Sequence, residues 1–295
     1  SEDLVYWENA GRVFDDVPAW AVEAVPGATN IWAPDISRVD GQYRLYYSVS
    51  TFGSNRSVIG LAAAETLDAD NPAEGWTDRG RVLQSEPGDP YNAVDPCLAL
   101  DRDGGQWLFF GSFWNGIYAV PLDAETGKPR EGSRLVAIAR RPGSSAIEAP
   151  FVAYHDGWYY LFVSFDHSAN GIDSTYKVMV GRSRRITGPY RDMDGESMLR
   201  GGGTLLLAGY GQWRGPGSNA VLSDGERDWL VHHAYDAENS SVPTLQVRPL
   251  LWADNGWPLA GEPWTGEEAP RPLTPADVEG TWAHSLDFGP VSQIG

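Results

Sequence analysis

The chain has 295 residues, of which 42% are hydrophobic, and this is enough apolar material for a sizeable folded core. Its 22 Lys and Arg residues face 40 Asp and Glu residues, which gives a net charge of −18. This charge repels nucleic-acid backbones and anionic membranes, so we expect neither as a partner and predict a neutral or cationic ligand.

Apolar runs along the chain are short and end at Asp-Gly or Gly-rich turns, whereas amphipathic helical periods are scarce. This pattern is typical of an all-β protein. Four segments share one order of strand, turn, aromatic residue and strand. They read APDISRVDGQYRLYYSVS, DPCLALDRDGGQWLFFGSFW, APFVAYHDGWYYLFVSFD and SNAVLSDGERDWLVHHAYD, with matching aromatics at Tyr43, Trp107, Trp158 and Trp229. Each interval leaves room for a four-stranded antiparallel unit.

A weaker apolar pattern follows each copy and predicts two outer strands per unit. These pairs are VIGLAAAETL with GWTDRGRVL, GIYAVPLD with SRLVAIA, YKVMVGRS with GPYRDMDG, and LQVRPLLW with GWPLA. Repeated four-stranded units of this size indicate a β-propeller. The opening SEDLVYWENAGRVF resembles the outer half of one more blade. We therefore predict a five-bladed β-propeller over residues 1–262, its first blade incomplete at the N-terminus, and a C-terminal extension over residues 263–295 that starts a small β-module.

The first strand of each propeller blade lines the central axis, so the residues that begin the four copies are expected to converge on one pocket. They include Asp35, Asp95 and Glu148, together with Ser218 and Asn219. Like charges in a partly desolvated site disfavour one another's ionisation, which suits a general acid at neutral pH. Of the three carboxylates, we interpret Asp35 as structural, an acceptor of backbone hydrogen bonds where its strand begins.

Other side chains that could act as nucleophiles or metal ligands are predicted to be structural. Cys97 is the only cysteine, which excludes an intrachain disulfide, and we interpret it as a core residue. His232 and His233 are adjacent in a predicted strand, so they point to opposite faces and do not form one metal site together. The thirteen Trp and thirteen Tyr residues suit carbohydrate binding, because their rings stack on sugars, although sheet cores use them too.

Seven short sequence motifs occur in a fixed order along the chain: IWAPDI, YYSVSTFGSN, NAVDP, FGSFW, IEAPF, STYKVMVGRS and GGGTLL. Together, over about residues 1–260, they resemble the arabinanases of glycoside hydrolase family 43. The resemblance implies a five-bladed propeller that hydrolyses α-1,5-linked L-arabinan with inversion at the anomeric carbon. It also implies a secreted protein that acts on a polysaccharide or oligosaccharide, although no signal peptide is visible here, and we expect a monomer.

The resemblance also implies roles for individual residues. Glu148 in IEAPF matches the general acid that protonates the leaving oxygen. Asp95 in NAVDP matches the carboxylate that orients this acid and modulates its pKa. The positions that match the sugar-binding residues of the family are Trp32, Phe52, Gly53, Asn92, Ser112, Phe113 and Trp114.

Two departures from the family pattern limit these expectations. The general base of the family lies in a His-Asp-Pro motif of the first inner strand, and this chain does not contain that motif. We expect either a fragment of a longer product, or a form that is inactive or uses another residue as the base.

Ser218 stands where the family usually has a histidine that helps to bind a central ion, often calcium. No metal ligand or required cofactor is therefore predicted, and a structural Ca²⁺ near the axis stays an open alternative.

Two other functions fit the same residues. One is an exo-acting arabinofuranosidase or xylosidase of the same family, which loop lengths around the pocket would distinguish from an endo-acting enzyme. The other is a carbohydrate-binding propeller without turnover, which the missing base favours.

Overall fold

The computed structural model describes residues 1–68, 71, 74–239 and 242–267, and it divides the chain into the units Ser1–Trp264 and Thr265–Gly295. Only residues 265–267 of the second unit are described, so the β-module predicted near the C-terminus lies outside the described residues. No helix in the described ranges is long and apolar enough to cross a membrane.

The described part of the chain forms four antiparallel sheets, each built from four consecutive strands. Blade 1 contains β1 (Trp32–Val39), β2 (Gln42–Val49), β3 (Ser57–Ala64) and β4 (Thr77–Ser85). Blade 2 contains β5 (Cys97–Leu100), β6 (Gln106–Phe110), β7 (Ile117–Pro121) and β8 (Val136–Ala139). Blade 3 contains β9 (Ile147–His155), β10 (Trp158–Phe165), β11 (Lys177–Ser183) and β12 (Thr204–Leu207). Blade 4 contains β13 (Trp213–Ser223), β14 (Asp228–Asp236), β15 (Pro243–Trp252) and β16 (Pro258–Ala260).

Helical structure in the described residues is limited to short segments. They are α1 (Ala19–Ala24) and the 3₁₀ turns Gly171–Asp173 and Met198–Arg200. The all-β fold and its propeller arrangement are therefore confirmed. Four blades are present in the described residues, and a fifth remains a prediction.

Much of the hydrophobic core lies between successive blades, and another cluster packs α1 against β2 and β3. Blades 1 and 2 pack through a cluster that contains Tyr46 and Phe110, and blades 2 and 3 through one that contains Phe109 and Leu161. A further cluster, which includes Phe162 and Leu230, joins blades 3 and 4. Strands covered on both faces need apolar residues on both faces, which is why β10 reads as a continuous apolar run.

Close packing between strands explains one glycine of the buried β3. A Cβ added at Gly60 would lie 2.3 Å from Cζ of Tyr47, whose ring is fully buried on the neighbouring strand. Any side chain at this position would displace the Tyr47 ring, so the residue has to be glycine.

Two predictions about outer strands differ from the structure. GPYRDMDG makes only an isolated bridge to β11, between Arg191 and Arg182, and its proline and Asp-Gly turn prevent the longer ladder of an outer strand. The apolar Thr204–Leu207 takes that place and pairs with Val178, Met179 and Val180. Residues 1–18 contain no strand, so the predicted half blade is not seen there. Asp3 instead accepts the backbone N–H groups of Val5 and Tyr6, which stabilises a turn.

Candidate active site

The innermost strand of each blade is bent near its start by a residue with positive φ. These residues are Ala33 (38°), Asp95 (55°), Ala149 (51°) and Ser218 (51°). The pairing register of β1, β9 and β13 shifts at the same places, as expected for bulges. A bulge locally bends the strand and re-aims its side chains, so the four blades place their strand starts around one cavity.

Every site residue predicted from the sequence lies in the lining of this cavity, whose volume is about 770 Å³. These residues are Trp32, Phe52, Gly53, Asn92, Asp95, Ser112, Phe113, Trp114 and Glu148. They come from strand starts and from the loops that follow β2 and β6, which meet at one end of the blades. The structure therefore brings together residues that are far apart in the chain.

The carboxylate of Glu148 is held by two hydroxyl groups from different elements. Ser112 Oγ donates to Glu148 Oε2 at 2.6 Å, and the Tyr176 hydroxyl donates to Glu148 Oε1 at 2.7 Å. Ser112 lies just beyond β6 of blade 2, and its backbone forms an isolated antiparallel bridge with Glu148. Because both oxygens are fixed, the carboxyl group has a defined orientation at the cavity wall.

Asp95 is hydrogen-bonded to the blades on either side of its own. Its Oδ2 accepts the N–H of Ala149, the residue after Glu148, at 3.0 Å, and its own N–H donates to Ser48 Oγ at 3.0 Å. Desolvation and, next, the negative charge of Glu148 raise the pKa of Asp95 to about 8, against the opposing effect of the Ala149 N–H. The carboxyl group of Asp95 therefore keeps its proton at neutral pH.

Tyr176 is a site residue that the sequence did not identify. Burial raises the pKa of its hydroxyl well above the ordinary value, and the charges of Glu148 and Asp95 act in the same direction. The hydroxyl therefore stays protonated and serves as a donor. Tyr176 is the third residue of the motif STYKVMVGRS, but its contact with Glu148 spans 28 positions and depends on how β9 and β11 flank β10.

Aromatic side chains form the exposed rim of the cavity. The rings of Trp32 and Phe52 lie 5.0 Å apart, and Phe52 is 87% exposed. Phe113 and Trp114 both have positive φ, 55° and 43°, so the loop after β6 turns sharply beside Ser112. An exposed ring at a concave site presents an apolar face to a ligand, as sugar rings require.

Asn92 has its carbonyl oxygen committed within the protein. Asn92 Oδ1 accepts the Ser57 hydroxyl at 2.6 Å, and Ser57 Oγ lies 2.7 Å from Ser50 Oγ. The amide N–H groups of Asn92 are therefore the part that is available to a ligand in the cavity.

Comparison of the chain with known proteins identifies its family. The model of glycosyl hydrolases family 43 matches residues 1–258. The chain belongs to glycosyl hydrolase family 43. This confirms the resemblance inferred from the sequence, and with it the prediction of a glycosidase.

Characterised relatives of this family 43 chain cover most of its length. An extracellular endo-α-(1→5)-L-arabinanase 1 of Bacillus subtilis (strain 168) is 47% identical over 260 residues, 88% of this chain and 77% of the relative. An extracellular exo-α-(1→5)-L-arabinofuranosidase of Cellvibrio japonicus is 39% identical over 89% of this chain and 79% of the relative. The structure of a Cellvibrio cellulosa α-L-arabinanase complexed with arabinohexaose is 39% identical and aligns with a TM-score of 0.85, covering 89% of this chain and 87% of that one.

Asp35 lies outside the main cavity of the family 43 site and has the structural contact expected of it. Its Oδ2 accepts the N–H of Leu98 at 2.9 Å, which links the inner strands of blades 1 and 2. Burial raises the pKa of Asp35 to about 6. The residue lines a small axial cavity of about 90 Å³, next to Asn219.

The two adjacent histidines point in opposite directions, as strand alternation predicts. His232 is buried: its Nε2 accepts from Arg248 Nε at 3.0 Å and its Nδ1 donates to the His233 carbonyl at 2.8 Å. Burial lowers the pKa of His232 to about 4, so it is neutral. His233 lines the main cavity, with its ring centroid 5.8 Å from that of Tyr176.

The axial residues do not fit a metal site built from protein ligands. The described residues include no group of three or more His, Cys, Asp or Glu side chains that could hold an ion. Asn219 is buried and its amide oxygen has no partner, but one amide oxygen and the Ser218 hydroxyl fall short of the six to eight oxygens that Ca²⁺ takes.

Proposed function

We propose that the chain hydrolyses the α-1,5-L-arabinofuranosidic bonds of arabinan with inversion, with Glu148 as the general acid. The observation that carries the proposal is the Glu148 carboxyl group, fixed by two hydroxyl donors at the wall of an open, aromatic-rimmed cavity. The arabinanase names of the relatives support the choice of substrate.

The contacts of Glu148 suit proton transfer to a leaving oxygen. Protonated Glu148 has one free acceptor oxygen, and it gains a second one when its proton passes to the glycosidic oxygen. The hydroxyls of Ser112 and Tyr176 then donate to both oxygens of the resulting carboxylate. The stabilisation is therefore greater after proton transfer than before it, which lowers the barrier.

Asp95 is proposed to orient Glu148 and to keep a proton available to it. Its hydrogen bond to the Ala149 N–H fixes the backbone next to the acid, and its raised pKa leaves a proton beside Glu148 at neutral pH. An inverting hydrolase also needs a base on the opposite face of the sugar, with the carboxyl groups about 6.5–9.5 Å apart. The proposal gives this role to neither Asp95 nor Glu148.

We propose endo action, the mode named for the relative that is 47% identical. Exo action, the mode named for the relative that is 39% identical, is the alternative. The early products from linear arabinan separate the two. A ladder of oligosaccharides supports endo cleavage, whereas monosaccharide alone in the first minutes contradicts it.

The test of the acid is Glu148→Gln, which keeps the shape and the acceptor oxygen but cannot give up a proton. We expect kcat on linear arabinan to fall by about 10² to 10⁴-fold. The matched control is Glu196→Gln, at an exposed carboxylate that pairs with Arg200 on the surface and accepts the N–H of Ser197, and it should leave the rate unchanged. An unchanged rate for Glu148→Gln, or a first product of retained anomeric configuration by NMR, would contradict the proposal.

A binding measurement separates the enzyme from a carbohydrate-binding propeller. Calorimetry with arabino-oligosaccharides is paired with an overnight product assay. Binding together with products supports the hydrolase, and binding without products points to the binder.

We further propose that the propeller has five blades and acts as a monomer. The resemblance to the five-bladed arabinanases supports the blade count, and the inner strands β1, β5, β9 and β13 pack on one another in chain order. An experimental structure of the whole gene product tests the number of blades, and sedimentation equilibrium tests the oligomeric state.

A further inference from the structure

A second concave site lies at the end of blade 3 that faces away from the active-site cavity. Its volume is about 390 Å³, and four arginines and two tryptophans dominate its lining: Arg182, Arg184, Arg185, Arg191, Trp158 and Trp257. Strand β9 runs from Glu148 at the cavity to His155, and Trp158 opens the return strand. At roughly 3.3 Å per residue, this arginine groove is about 25 Å from Glu148.

The charge of the arginine groove is opposite to that of the molecule. The chain has 22 basic residues and a net charge of −18, yet four arginines share this one groove. Among the described residues, no carboxylate forms an ion pair with any of the four. Asp192 also lines the groove, but its two oxygens accept the backbone N–H groups of Glu196 and Gly203. The groove is therefore a local positive site.

Aromatic rings hold two of the guanidinium groups in place. Arg182 lies 4.5 Å from the ring centroids of both Trp158 and Trp257, and Arg184 lies 3.7 Å from that of Trp158. Each also donates one N–H to a backbone carbonyl, Arg182 to Asn255 at 3.0 Å and Arg184 to Gly157 at 3.0 Å. Stacked guanidinium groups lose little further freedom when they bind a ligand.

The other two arginines are anchored in the loop after β11. Arg185 Nε donates to the carbonyl of Gly188 at 3.2 Å, and Arg191 donates to that of Gly195 at 2.8 Å. A guanidinium group has about five N–H donors in a planar fork, so these contacts leave most of the donors free. Paired N–H donors of this kind match the two oxygens of a carboxylate.

We propose that the arginine groove binds the carboxylate groups of an acidic polysaccharide, that is, a polyuronate. The net charge repels polyanions at long range, so binding requires close contacts between carboxylates and the anchored guanidinium groups. The choice of a sugar polymer rests on the proposed function, because an enzyme held on a polysaccharide by a second site acts at a higher effective concentration. The position of the groove leaves the active-site cavity free for substrate.

The experiment is affinity electrophoresis and calorimetry of the full chain with polygalacturonate at about 150 mM salt, where the Debye length is about 8 Å. Arg184→Gln/Arg185→Gln should weaken binding by about fivefold to thirtyfold, because it removes two arginine–carboxylate contacts. The matched control is Arg38→Gln/Arg134→Gln, two exposed arginines outside the groove that change the total charge equally. Arg185→Gln/Arg191→Gln is a second groove variant that spares the stack on Trp158, in case the first is unstable.

Selective loss of polygalacturonate binding in the groove variants, with unchanged hydrolysis of neutral arabino-oligosaccharides, supports the proposal. Three results would overturn it: no binding by the wild type, equal loss in the groove and control variants, or equally tight groove-dependent binding of inorganic phosphate. The binding assay needs no turnover. Inactivity toward arabinan would therefore contradict the proposed function, but it would not affect the measurement of polyuronate binding.

Discussion

Asp95→Asn should flatten the dependence of stability on pH. In the folded protein, desolvation and the charge of Glu148 raise the pKa of Asp95 to about 8, whereas the unfolded value is near the ordinary 3.8. Between these values the folded state keeps a proton that the unfolded state has lost. The free energy of unfolding therefore falls as the pH rises, by at most about 1.4 kcal/mol per pH unit.

The substitution is close to neutral in every other respect. Asn has the size of Asp, and its amide oxygen still accepts the Ala149 N–H that Asp95 accepts at 3.0 Å. At about pH 4 the variant and the wild type should differ by less than about 1 kcal/mol, because Asp95 is then protonated in the fold. At about pH 8 the variant should be more stable by several kcal/mol, since it has no proton to lose.

Urea unfolding followed by tryptophan fluorescence at a series of pH values measures the effect. Asp35→Asn is the matched control: its folded pKa is about 6, so its stability difference from the wild type should develop between about pH 4 and 6 and stay constant above. A difference between the wild type and Asp95→Asn that is the same at pH 4 and pH 8 would refute the account of this carboxyl pair.

Three further predictions concern single side chains. Tyr176→Phe removes the donor to Glu148 Oε1, and we expect kcat to fall by about tenfold to a hundredfold with KM nearly constant; a raised KM at constant kcat would argue for a binding role. Phe52→Ala removes an 87% exposed ring that contacts Trp32, so calorimetry should show about twofold to tenfold weaker oligosaccharide binding, whereas a loss of stability above about 1 kcal/mol would show that the ring is structural. Cys97 is 1% exposed and burial raises the pKa of its thiol, so a thiol reagent should label it only upon unfolding; rapid labelling of the native protein would contradict this.

The positions of most strands followed from local sequence. An Asp-Gly or Gly-rich turn between two apolar runs predicts a hairpin wherever it occurs, so the inner hairpins of all four blades were predicted correctly. The outer strand of blade 3 was not predicted correctly, because two segments of the chain compete for pairing with the edge of β11. GPYRDMDG and Thr204–Leu207 both lie within reach of β11, and the second has the apolar side chains and free N–H groups that pairing needs.

The sequence by itself determined the all-β fold and the repeat of its blades, since both rest on short local patterns, and its resemblance to a family identified nine residues of the cavity lining. Only the tertiary structure decided how Glu148 is held and where the arginine groove forms. The hydroxyls on Glu148 come from residues 36 positions before it and 28 positions after it, and Arg182 meets the ring of Trp257 across two blades. Such contacts depend on the packing of one blade against the next, to which residues throughout the chain contribute.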